Sequence, residues 1–120
     1  MVAMDEDLNA AQQALAIGAY YQAFEIFFMM EQANTDSNFV NCCRMATQGQ
    51  LCPEHQKQLF ERLEEEVRMN NGRAIYNYAL VLERTGGQNK KVIELLQKAQ
   101  LLGVPEAQSS LNKLIYTGSL

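Results

Sequence analysis

Val92-Ile-Glu-Leu-Leu-Gln-Lys-Ala99-Gln-Leu-Leu-Gly103-Val-Pro-Glu-Ala107-Gln108 decides the fold. Val92, Leu95, Leu96 and Ala99 recur at helical spacing, which places them on one face. Gly103 supplies the backbone freedom that ends a helix. Pro105 suits the first turn of the next one. Ala99 and Ala107 are small where two helices must approach. The stretch therefore reads as one helix, a glycine stop and the start of the next. Units of this kind carry an apolar face too large to hide within themselves, so they stack in rows.

Outward from this stretch, helical periodicity continues and no strand alternation is found. The spacing predicts a first helix over about 4–17, with Ala10, Ala11, Ala14 and Leu15 as a small-residue face and Gly18 as its stop. A second follows over 20–33, carrying Ala23, Phe24, Phe27, Phe28 and Met30. Most of the run Phe27-Phe28-Met29-Met30 is expected in the core, and its excess apolar width leaves room for a partner surface. Asn34 to Asn38 forms a turn in which Asp36 or Ser37 caps the third helix, which fades at Gln48-Gly49. Pro53 opens the fourth, with Leu59, Phe60, Leu63 and Val67 as its stripe. Asn70-Asn71-Gly72 breaks it. The fifth spans 73–84 and closes at Gly86-Gly87, the sixth 90–102, and the seventh runs from Pro105 to Gly118.

Short connections make sequential helices antiparallel neighbours. The expected fold is all-α: a short right-handed solenoid of about three antiparallel hairpins, residues 4–34, 37–69 and 73–102, plus a C-terminal capping helix over 105–117. The 120 residues suffice for one such domain with its own core.

Two signatures carry a family resemblance. Gly18-x-Tyr20-x-x-Ala23-x-x-x-Phe27 resembles the tetratricopeptide repeat, whose second helix starts in that way. Leu95-Leu96, Ala99, Gly103 and Ala107-Gln108 resemble the Sel-one-like class of helical repeat, with Ala74 to Leu80 as the matching first helix. Ala74 and Ala107 both open helices and lie 33 residues apart, a spacing such repeats use. Residues 37–69 lack the glycine–aromatic–alanine pattern.

Charge is unevenly placed. Residues 1–43 hold no Lys or Arg but six acids: Asp5, Glu6, Asp7, Glu25, Glu31 and Asp36. The remainder holds all 10 basic residues against 8 acidic ones, and the net charge is -4. Nucleic acid is excluded as a main partner, because phosphate binding needs clustered positive charge. A basic or apolar partner surface near the N-terminal half is favoured. No apolar run is long enough to span a bilayer, and the acidic start is unlike an export signal. The 3 cysteines are an odd number with one adjacent pair, which reads as a reducing, cytoplasmic setting rather than a disulfide framework.

Candidate chemistry is sparse. Cys52-Pro-Glu-His55 has the spacing of a metal-ligand pair, with Cys42 and Cys43 nearby. Adjacent cysteines rarely reach one tetrahedral centre, so buried thiols beside an exposed helical histidine is the favoured reading, and no metal or cofactor is expected. Cys52 also precedes a helix N-terminus, where a thiol is activated, and His55 is a base close in sequence. No third residue orients them. The run Glu61, Glu64, Glu65, Glu66 reads as a solvated face, with Arg62 pairing to Glu66 and Arg68 to Glu64.

The resemblance implies a non-catalytic protein–protein interaction module, an adaptor or chaperone-like protein and not an enzyme. It would bind another protein's peptide or helix in a concave groove lined by the first helix of each hairpin. On those helices the polar and aromatic candidates are Gln12, Asn41, Arg44, Arg73, Tyr76, Asn77 and Arg84, and the arginines suit an acidic peptide or a C-terminal carboxylate. Neither nucleic acid nor membrane is expected as a partner, and a chain with so few repeats gains from homodimerising. The alternatives are a regulatory or immunity-type inhibitor of another protein, or a thiol-dependent enzyme built on Cys52 and His55.

Overall fold

A computed structural model describes residues 2–34 and 37–116. The regular elements of the described residues are all helices: α1 (Val2–Ala16), α2 (Tyr20–Ala33), α3 (Val40–Thr47), α4 (Pro53–Arg68), α5 (Gly72–Arg84), α6 (Asn89–Leu101) and α7 (Glu106–Tyr116). The expected stop at Gly118 and the expected cap at Asp36 lie outside the described residues. No described helix is long and apolar enough to cross a membrane.

One device ends four of the helices. After α6, Gly103 takes φ +91, its N–H donates to Gln100 O and the Val104 N–H reaches back to Ala99 O, both at 3.0 Å. This closes the last turn and satisfies carbonyls that the helix leaves open. The same pair of bonds follows α1 at Gly18, α3 at Gly49 and α4 at Asn70. Asn70 does so with φ +59, a conformation that asparagine tolerates better than most residues.

Every consecutive pair of helices packs together, most extensively α5 with α6 and α1 with α2. Alanines sit where helices approach: Ala11, Ala23, Ala74, Ala79, Ala99 and Ala107 are all fully buried. α3 lies chiefly against α5 and touches α4 only lightly. α5 is thus the hub, meeting α3, α4 and α6 and burying Ile75, Tyr78 and Val81. The molecule measures 43 × 26 × 21 Å.

The loop before α3 is fastened by side chains. Asn71 Nδ2 donates to Ser37 O and Asn77 Nδ2 to Asn38 O, at 2.9 and 2.8 Å. Ser37 Oγ accepts from the Phe39 N–H at 3.2 Å. Phe39 itself is 1% exposed with φ +53, a left-handed conformation costly for an aromatic residue. Burial of its ring against Phe28 and under the Arg62 guanidinium offsets that strain.

Candidate partner-binding surface

The seven residues expected to line a groove are distributed over three helices. Gln12 on α1 and Arg84 on α5 are exposed. On α3, Arg44 Nη1 donates to Asn41 Oδ1 at 3.3 Å, so these two form one polar spot. On α5, Arg73 pairs with Glu106, and Tyr76 OH lies 3.4 Å from Ser110 Oγ, which ties α5 to α7. The mutual hydrogen bond holds the Glu106 carboxyl below its usual range and raises Arg73. Asn77 is committed to the Asn38 carbonyl. Five of the seven therefore already serve contacts within the chain or with each other: Asn77 in the fold, Arg73 and Tyr76 in the α5–α7 seam, and Asn41 with Arg44.

The histidine reading needs correction. His55 is not exposed but 1% accessible, with its ring 4.2 Å from that of Tyr21 and 4.3 Å from that of Phe24. Its position explains this. His55, Leu59 and Leu63 repeat every four residues, and Glu66 follows three later, so all four share the inner face of α4. His55 Nε2 has no hydrogen-bond partner and lies 3.6 Å from Glu25 Oε1. Cys42 and Cys43 are buried, and burial pushes both thiols well above their usual range, with the Glu31 carboxylate adding to it. Among the described residues no three His, Cys, Asp or Glu side chains converge as metal ligands.

The acidic run is likewise not a uniform solvated face. Glu66 is buried, accepts from Asn71 Nδ2 at 2.7 Å and pairs with Arg62 at 2.9 Å, as the helical spacing predicted. Glu64 pairs with Lys91 of α6 at 2.8 Å and accepts from Tyr78 OH at 2.6 Å. Burial alone would raise the Glu64 carboxyl, but those two donors outweigh it and hold it below its usual range. Tyr78 shifts the opposite way, pushed up by burial and then by its bond to that carboxylate.

Glu64, held by Tyr78 and Lys91, lines a furrow of about 650 Å³ between α4 and α5. Leu51, Pro53, Phe60 and Tyr78 give it an apolar floor, with the Phe60 and Tyr78 rings 5.6 Å apart. Gln56, Lys57 and Glu61 stand at its edge. An apolar centre inside a polar rim is the anatomy of a recognition site, and the volume falls within the ordinary range for ligand clefts. Recognition was expected on the first helix of each hairpin; this furrow is lined mainly by the second helix of the middle hairpin, with Tyr78 from the first helix of the last one. Phe60 was legible as part of an apolar stripe. Its half-exposure was not, because that depends on how α5 leans against α4.

A smaller furrow of about 270 Å³ lies on the other side of α4, against α2, bordered by Phe28, Gln32, Gln58, Glu61, Arg62 and Glu65. No protein-family profile, curated protein or solved structure matches this chain.

Proposed function

We propose that this chain is a non-catalytic protein-interaction module, a short right-handed solenoid of tetratricopeptide or Sel-one-like hairpins that receives a segment of another protein. Recurrent left-handed stops after α1, α3 and α6, alanines at the helix approaches and the elongated outline support the repeat reading. The observation that carries the binding reading is the α4–α5 furrow. Its Phe60–Tyr78 floor offers apolar area, and its Glu64 carboxylate, braced by Tyr78 and Lys91, is already held before a partner arrives. Preorganisation of that kind lowers the entropic cost of association.

The test is a peptide-display selection on the immobilised full chain. Enriched peptides should lose binding to Phe60→Ala and Lys57→Glu variants whose helical circular dichroism and melting remain cooperative. Failure to enrich any sequence, or enriched peptides indifferent to both variants, would overturn the proposal.

A further inference from the structure

The α2–α4 side carries a second surface with its own chemistry. Tyr21 is 54% exposed, and its ring lies on that of the buried His55. Two carboxylates act on its phenol: Glu54, from the first turn of α4, and Glu25, one helical turn along α2. Together they raise the phenol above its usual range, Glu54 more than Glu25. Glu25 is 47% exposed, and His55 Nε2 faces it across 3.6 Å without a hydrogen bond. A fully buried polar atom thus points toward this spot and goes unsatisfied, a costly arrangement without a purpose.

The surface extends beyond that spot. Met29, one turn after Glu25, is 71% exposed. The smaller furrow follows with Phe28, Gln32, Glu61 and Glu65. Its one cation, Arg62, is committed to Glu65 and Glu66. α1 and α2 contribute no Lys or Arg at all, because residues 1–43 hold none. The exposed aromatic and thioether groups therefore lie in an acidic field that α1 and α2 do nothing to neutralise.

We propose that the α2–α4 face docks an amphipathic helix of a partner protein bearing lysine or arginine, one cation of which seats over the Tyr21 ring between Glu25 and Glu54. A cation there gains the ring's negative face and two carboxylates together. The partner's apolar side covers Met29 and Phe28, the way an amphipathic helix lies in a groove. This goes beyond the α4–α5 furrow, and its test uses residues that do not line that furrow.

The probe is a fluorescein-labelled leucine–lysine peptide of about 12 residues, whose helix reaches about 18 Å, the span from Tyr21 to Gln32. Fluorescence anisotropy with the full chain should show binding that weakens with salt. A leucine–glutamate peptide of equal length should not bind, and oligolysine should bind more weakly. Glu25→Gln with Glu54→Gln should weaken the leucine–lysine peptide about tenfold. Tyr21→Ala should weaken it, and Tyr21→Phe, which keeps the ring, should not. Equal binding of the glutamate peptide, or indifference to the double variant, would overturn the proposal. So would a self-associated chain in sedimentation that the double variant dissociates, because the occupant would then be a second copy. Peptides selected on the α4–α5 furrow should bind the double variant unchanged, so the two readings fail separately.

Discussion

Asn71 Nδ2 donates a 2.9 Å hydrogen bond to the carbonyl oxygen of Ser37, 34 residues earlier in the chain. The same side chain donates to Glu66 Oε1 and accepts from the Ala74 N–H, which caps α5. One asparagine thus joins the end of α4, the start of α5 and the loop before α3. Asn71→Ala should remove the cap and leave a buried carboxylate oxygen without its donor, at a cost of about 2–4 kcal/mol. Urea denaturation checks this. A loss within experimental error of zero would mean that water replaces all three bonds.

Phe39 combines full burial with φ +53. Both Phe39→Ala and Phe39→Gly should destabilise strongly, because each empties the space under Arg62. Glycine also relieves the left-handed strain, so Phe39→Gly should be about 1 kcal/mol more stable than Phe39→Ala. The reverse order in thermal melts would show that Phe39 is not held in that conformation.

The Gly103 stop separates backbone from packing. A Cβ at Gly103 would meet nothing within 4 Å, so Gly103→Ala should cost about 1 kcal/mol through conformation alone. Ala107 is fully buried, and Ala107→Leu should cost about 1–3 kcal/mol by overpacking. Both should lower the melting temperature while leaving peptide affinity at the α4–α5 furrow unchanged.

The helices and most of their ends were legible for a simple reason. Helical period, glycine stops and Pro53 are local signals, and each acts within a few residues. Val92, Leu95, Leu96 and Ala99 are all buried as their spacing predicted. The candidate surface was less legible. His55 lies in register with Leu59 and Leu63, a signal present in the letters, but its polarity argued for exposure. The pairing of Glu64 with Lys91, across 27 residues, depends on α5 packing against both α4 and α6, and it leaves no local trace. Phe39 in a left-handed conformation runs against every propensity and is imposed by tertiary contacts.

Two carboxylates should change stability with pH in opposite senses. Burial raises Glu31 above 4.5, so the folded state binds its proton more tightly than the unfolded one. Stability from that site is present below 4.5 and lost as pH rises through the raised value. Glu64 is held low by Lys91 and Tyr78 against burial, so its contribution is present above 4.5 and lost as pH falls through the lowered value. Glu31→Gln should therefore gain stability relative to the unaltered chain as pH rises above 4.5. Glu64→Gln should be the weaker protein at neutral pH and converge with the unaltered chain in acid. Melts across pH decide both signs.

The thiols should divide sharply. Cys42 and Cys43 are buried with raised pKa values, whereas Cys52 is half-exposed. Mass spectrometry after brief N-ethylmaleimide treatment of the native chain should show one adduct, at Cys52. Rapid labelling of Cys42 or Cys43 would mean that α3 opens readily.

The proposed seating of a protein segment in the α4–α5 furrow can be read residue by residue in heteronuclear NMR of the chain titrated with a selected peptide. The largest shift changes should cluster at Leu51, Lys57, Phe60, Glu61 and Tyr78, and Phe60→Ala should abolish them. Shifts centred instead on Gln12, Arg44 and Arg84, with the furrow unmoved, would contradict it.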